Sequence, residues 1–468
     1  MEATVTDERP SPEGPATFRE VFAQREYGAV FTAGVLSWVG DYLAKAAVTV
    51  LVYQETRSAV LSATAFAVSF LPWLVGGPLL AALAERHPYR RVMVVCDLIR
   101  MTLMLLIAIP NLPIYLVLGL LFLATLANPP SQAAKSALLA QILTGDRLVL
   151  GLSINASAGQ AAQVVGYVVG AAIAQFDPAV ALLFNAATFA VSAALLRFGV
   201  RQRSAALHET DRTHLLRETA EGFQIVFGTP VLRAIAVLVF SSMLFSIVPE
   251  GLAVVWADRS SGDLDPGLAQ AVIMAANPVG FVLGGLLIGR VFGPARRLAL
   301  MRPLAVLAPL TLVPSLLDPS PVVVALLAAA CGFAVAGMLP TANGLFVQAL
   351  PDAFRARAFG VMATGMQVLQ GLAVLVTGAL SDRFDLPSVV GLWSAAGVVL
   401  MLVASLSWPN RPTVEAAVAA ASGRHTGARP GSAKTPTATP AVSRTNGARA
   451  DVPSGDAIDG ERARHAVT

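Results

Sequence analysis

Gly77-Pro78-Leu79-x-Ala81-x-Leu83-Ala84-Glu85-Arg86-x-x-Tyr89-Arg90-Arg91-Val92-Met93 is a short charged interruption between two long apolar runs. The flanking runs, 59–84 and 92–110, are each long enough to cross a bilayer core as a helix, which takes roughly 20 residues. A glutamate and three arginines so close together belong in water, so the chain emerges from the bilayer here and turns back. The same alternation extends outward in both directions. Apolar runs of this kind also occupy 27–53, 113–141, 150–175, 178–197, 231–257, 266–289, 297–317, 320–349, 357–380 and 386–408. Twelve transmembrane helices follow, and with them an all-α membrane protein. The run 113–141 is longer than a bilayer needs, and its Pro129-Pro130 pair predicts a helix that kinks or ends there.

Composition leads to the same class. Of 468 residues, 55% are apolar and only 13% charged, against about 25% charged in soluble domains. The first 26 residues are polar and of mixed charge, unlike a cleaved signal, so the first span is expected to be retained. Cys96 and Cys331 sit in distant apolar stretches and form no disulfide framework. Lys45, Lys135 and Lys434 each follow an alanine, which excludes a Gly-Lys-Ser/Thr phosphate loop. The net charge of +4 is spread over short loops, which is no nucleic-acid footprint. The five histidines all fall in polar segments, so no intramembrane metal site is expected. No nucleophile–base pair is visible, and neither an enzyme nor a cofactor is expected.

Basic residues set the orientation. With the N-terminus inside, 28 of the 33 lysines and arginines fall on the inner side, and only Arg57, Arg259 and Arg383 on the other. Both termini are therefore expected in the cytoplasm of a multi-pass protein of the cell (inner or plasma) membrane. The layout is a cytoplasmic segment 1–26, a six-helix half 27–197, a linker 198–230, a second six-helix half 231–408 and a tail 409–468. Leu215, Leu216, Phe223, Ile225 and Val226 make the linker amphipathic, and the tail is disordered by composition.

The halves repeat at an offset near 208 residues. Gly76-Gly77 falls on Gly284-Gly285, Gly170 on Gly378, and Phe176-Asp177 on Phe384-Asp385. Ser37-x-Val39-x-Asp41-x-Leu43-Ala44 falls on Ser246-x-Val248-x-Glu250-x-Leu252-Ala253. Two parallel, pseudo-symmetric six-helix halves are the architecture of a rocking transporter with its site at the midplane.

The loop quoted at the outset resembles the loop signature of the major facilitator superfamily, in particular its drug-antiporter branch of macrolide and siderophore exporters. Gly40-Asp41-x-x-x-x-Ala46, Asp97-x-x-Arg100 and Arg355-Ala356-Arg357-Ala358-Phe359-Gly360 fit the same branch. The resemblance implies proton-coupled efflux of amphipathic small molecules by alternating access. Two positions depart from it. Glu85 replaces the usual loop aspartate, and Gly166-Tyr167-Val168-Val169-Gly170 has tyrosine where the antiporter motif has proline.

The loop reads as a cytoplasmic gate. Glu85 suits the positive N-terminus of span 11, Arg86, Arg90 and Arg91 can bridge to helix ends, and Gly77 permits close approach. Alternatively the arginines only anchor the topology. Asp97 and Arg100, three residues apart beside this gate, read as a structural ion pair.

Within the spans, ionisable residues are costly and therefore candidates for function. Asp41 and Lys45 lie one turn apart and are expected to pair, orienting substrate. Glu250, equivalent to Asp41 by the repeat, has no visible counter-ion and is the expected proton carrier, with Asp41 as the alternative. Pro249 is expected to bend its helix. Trp38, Phe66, Phe70, Gln163, Tyr167 and Gln370 suggest a large amphipathic cavity.

The partners expected are a small-molecule substrate, protons and the lipid bilayer, with the protein a monomer. An importer or facilitator of lysolipid or siderophore on the same fold is the first alternative. A non-transporting membrane scaffold or sensor is the second.

Overall fold

Proline punctuates this fold. Pro178, Pro230, Pro266, Pro294 and Pro321 each begin a long helix, the one place where a missing N–H costs nothing. The computed structural model describes residues 17–73, 87–203, 215–259, 264–351 and 354–423. Its first half comprises α1 (Phe18–Ala23), α2 (Arg25–Thr56), α3 (Ala59–Ala67), α4 (Tyr89–Ile107), α5 (Ile114–Leu126), α6 (Asn128–Ile142), α7 (Gly145–Phe176) and α8 (Pro178–Gly199). The linker helix α9 (Leu215–Gly228) follows. The second half comprises α10 (Pro230–Ser246), α11 (Val248–Gly251), α12 (Ala253–Arg259), α13 (Pro266–Val291), α14 (Pro294–Leu310), a 3-10 turn (Val313–Leu317), α15 (Pro321–Ala349), α16 (Arg355–Ser381) and α17 (Leu386–Leu406).

Ten helices among the described residues are long and apolar enough to cross a membrane. Of the remaining expected spans, 59–84 begins as α3 and then leaves the described residues. The other is α4, whose Arg90, Arg91, Asp97 and Arg100 lower its apolar character. The over-long run 113–141 does break, at Ala127, and Pro129 and Pro130 sit in the first turn of α6. Leu286, Leu287, Leu326, Val399 and Val403 are exposed on the outer faces of their helices, as suits a protein whose surroundings are lipid.

Small residues let α7 lie against α2. A Cβ on Gly166 would meet the Val39 carbonyl at 2.7 Å, and one on Gly170 the Leu43 carbonyl at 2.5 Å, so only glycine allows this backbone contact. In the linker helix Val226 is fully buried, whereas Phe223 stays exposed. The tail departs from its composition, because it starts with a helix, α18 (Arg411–Gly423). Val414, Ala417 and Val418, at helical spacing, pack it against the second half's core.

The two halves meet at the ends of their helices farthest from the N-terminal start of α2. There Arg57 pairs with Asp258 at 3.1 Å, and the Tyr53 hydroxyl donates to Asp258 at 3.2 Å. Asp382, just past α16, accepts from the Ala59 and Val60 amides at 2.8 and 3.2 Å and from the Ser58 hydroxyl at 3.0 Å. The repeat is visible here too. Asp177 and Asp385 stand at the same position, immediately before α8 and α17. Asp177 caps its own helix, whereas Asp385 is drawn aside to Arg259 at 2.8 Å.

Candidate functional site

A cavity of about 280 Å³ opens between the halves. Its walls come chiefly from the first half, with Ile247, Gln367 and Gln370 contributed by the second. Of the residues expected to line it, Trp38, Asp41, Lys45, Phe70, Gln163, Tyr167 and Gln370 do so. Phe66 instead is fully buried in the core behind Phe70.

Asp41 finds its partner on another helix. Its carboxylate accepts from Arg100 on α4 at 2.5 Å, and Arg100 reaches Asp97 with its other nitrogen at 3.4 Å. The Ser192 hydroxyl donates to the second Asp97 oxygen at 2.6 Å. The ring of Phe189 lies under the guanidinium at 4.2 Å. A buried guanidinium is tolerated only when its donors are satisfied, and here two carboxylates and an aromatic face do so. The expected Asp97–Arg100 pair is present. It lines the central cavity together with Asp41, however, and is not confined to the neighbourhood of the loop.

Lys45 does not pair with Asp41, contrary to the expectation from their spacing. Its ammonium instead lies 4.5, 5.0 and 5.4 Å from the ring centroids of Phe70, Phe66 and Tyr42. The planar guanidinium outcompetes it, being able to grip Asp41 and Asp97 together. The three rings then hold the displaced ammonium through cation–π attraction.

Glu250 lies on α11, where the second half's first span is broken into three pieces. Pro249 cannot donate an N–H, and the helix is interrupted at Ile247 and Leu252. The carboxylate is 3% exposed. It accepts from the Tyr167 hydroxyl at 3.0 Å and the Gln163 amide at 3.4 Å. Both donors belong to α7 in the other half, and Lys45 on α2 attracts the carboxylate as well, a counter-ion the sequence repeat did not reveal. Tyr167, the departure from the antiporter motif, is thus the residue that reaches across to the acid.

Lys135 is the site residue that sequence reasoning missed. It lies on α6, 6% exposed and on the cavity wall. Its ammonium sits 3.6 Å from the Trp38 ring centroid. The signal was its position inside the apolar run 113–141.

Of the expected gate residues, Gly77, Glu85 and Arg86 lie outside the described residues. Arg90 does bridge to a helix end. It donates to the Val200 carbonyl at 2.9 Å and the Gln202 side chain at 2.8 Å, just past α8. Arg91 is on the exposed side of α4. Near the start of α16, Arg357 donates to Glu221 of the linker helix at 2.6 Å. Among the described residues no group of three His, Cys, Asp or Glu could hold a metal ion.

Comparison with known proteins identifies this architecture. The solved structures it resembles include a POT family transporter in complex with 5-aminolevulinic acid, at TM-score 0.66 and 14% identity, covering 83% of this chain and 96% of that one. The nucleoside transporter NupG matches at TM-score 0.62 and 16% identity, covering 81% of this chain and all of the other. A structure described under substrate recognition in proton dependent oligopeptide transporters matches at TM-score 0.61 and 13% identity, over 84% and 99% of the two chains. No curated protein sequence matches significantly. The sequence profile described as Major Facilitator Superfamily matches residues 30–326 and 310–446. This match spans both halves and the cavity between them, and the chain belongs to the Major Facilitator Superfamily, as a secondary transporter and not an enzyme.

Proposed function

We propose that the chain couples the outward movement of amphipathic small molecules to inward movement of protons across the cell membrane, with both termini in the cytoplasm. The observation that carries this reading is the position of Glu250. It is a buried acid on one half, hydrogen-bonded among the described residues to Tyr167 and Gln163 of the other and drawn to Lys45 of that same half, so rocking of the halves breaks these contacts. A carboxylate that changes partners between two states can take up a proton in one and release it in the other. The contacts of Arg57, Asp258 and Asp382 close the end assigned to the outside by the basic residues. The cavity then faces the cytoplasm, the state from which an exporter takes up its substrate. Its aromatic and amide walls suit an amphipathic substrate. Transport of fluorescent amphipaths into everted vesicles, with and without a protonophore, tests the reading. Accumulation that the protonophore abolishes is expected. Uptake by right-side-out vesicles instead would make the protein an importer, and protonophore-insensitive equilibration would make it a facilitator.

A further inference from the structure

The cavity holds one more cation than its wall has carboxylates. Asp41 and Asp97 line it, and so do Lys45, Arg100 and Lys135. Arg100 engages both acids, and Lys45 rests among the rings of Phe66, Phe70 and Tyr42. Glu250 stands behind Tyr167, off the cavity wall. Lys45 is also drawn to Glu250 and Asp41, and Lys135 to Asp97, yet among the described residues no carboxylate comes within hydrogen-bonding reach of the Lys135 ammonium. The Lys135 side chain is more than nine-tenths buried, and its ammonium has no hydrogen-bond partner among the described residues.

An ammonium carries three donors and no acceptor. The Trp38 face 3.6 Å away attracts the charge, but it satisfies none of those donors in the way an oxygen does. The surroundings are nonetheless shaped to keep the group in place. Gly34, one turn before Trp38 on α2, leaves the room that the ammonium fills, since a Cβ there would overlap Nζ. Leaving a buried cation without an acceptor is destabilising, and a group held in that state beside a cavity is poised for an acceptor that comes from outside.

We propose that Lys135 is an anion subsite and that the transported molecules carry a compact oxyanion, a carboxylate or a phosphonate. The oxyanion accepts from Lys135, and the apolar part of the molecule lies along Trp38, Phe70 and Trp73 on the same wall. This rests on the transporter reading above and narrows its amphipathic substrates to amphipathic anions and zwitterions.

Binding to the full-length protein in nanodiscs tests it, with naphthalene-1-acetate, its primary amide, 1-naphthylmethylammonium and phenylphosphonate as probes. The two oxyanions are expected to bind at least about tenfold more tightly than the amide and the amine. Lys135→Gln should lose that preference, Lys135→Arg should keep most of it, and weak binding of the amide should survive in both as a check on folding. Equal binding of acid and amide, preference for the amine, binding of neither oxyanion, or full retention in Lys135→Gln would each overturn the assignment. An effect reproduced by chloride at equal ionic strength would overturn it as well. Those outcomes leave proton-driven transport standing. Lys135-dependent acid binding in a protein that moves nothing against a gradient would instead overturn the transport reading and leave the anion subsite intact.

Discussion

The Tyr167 hydroxyl donates to Glu250 at 3.0 Å across 83 residues of sequence and across the boundary between the two halves. The bond exists because Gly166 and Gly170 bring α7 onto α2 while Pro249 breaks the helix that carries the acid. If this acid carries the coupled proton, Glu250→Gln should abolish movement driven by a proton gradient. Substrate exchange should largely survive, because the amide still accepts from Tyr167 and exchange needs rocking without net proton movement. Gradient-driven transport at the normal rate in Glu250→Gln, together with its loss in Asp41→Asn, would move the coupling site to α2.

Tyr167→Phe isolates the hydroxyl. The ring keeps its edge-to-face contact with Tyr42, centroids 5.2 Å apart, and only the hydrogen bond goes. A hydrogen bond to a charged group contributes roughly 1.5–3 kcal/mol, so gradient-driven transport should fall by about tenfold or more. Yield and elution profile should match those of the unaltered protein. Full activity in this variant would show that the link between the halves is dispensable.

The Asp41–Arg100–Asp97 cluster should behave as one unit. Arg100→Leu strands two carboxylates, one of them almost fully buried, and removing one partner of a buried ion pair costs roughly 3–5 kcal/mol. Poor membrane yield and a lowered melting temperature in detergent are expected. Adding Asp97→Asn should restore part of the loss, since it removes the more deeply buried orphan. A double variant no better than Arg100→Leu alone would mean that the residues are not coupled.

The spans, the two halves and the acids inside them were legible in the sequence because each depends on one local property: an apolar run, a repeat offset, or a charge where none is expected. Pairing was not legible in the same way. Asp41 and Lys45 share a helix face, but spacing along one helix says nothing of a rival donor 59 residues away, and Arg100 is that rival. Lys135 was lost for a related reason. Pro129-Pro130 suggested the end of a helix and a nearby loop, whereas those prolines begin α6 and carry Lys135 into the protein. Tyr167 read as a missing proline and a cavity-lining ring, but not as a donor to Glu250, because that role lies in a partner on the opposite half. The disorder expected of the whole tail overlooked Val414, Ala417 and Val418, too short an apolar stripe to stand out in an Ala-rich segment.

Asp382 gives the sharpest test of how the far end is held shut. Its carboxylate accepts from Ala59 and Val60, the first amides of α3, from beyond the boundary between the halves. It thereby satisfies donors that a helix start leaves open, and its charge faces the positive end of the helix dipole. Loss of a helix cap costs roughly 0.5–2 kcal/mol, enough to shift a balance between two states by about two- to thirtyfold. Asp382→Ala should therefore raise the population open at that end, with Asp382→Asn intermediate because its oxygen still accepts but carries no charge. A cysteine replacing Gln370 on the cavity wall reports this through its reaction with an impermeant thiol reagent, and Cys96 and Cys331 are buried and give little background. Reagent added outside intact cells should label Gln370→Cys slowly alone and several-fold faster with Asp382→Ala. Equal rates in the two backgrounds would reduce the cap to a contact without control over opening. Faster labelling only from the cytoplasmic side would reverse the assigned orientation, placing Arg57, Asp258 and Asp382 at the inner face of the membrane.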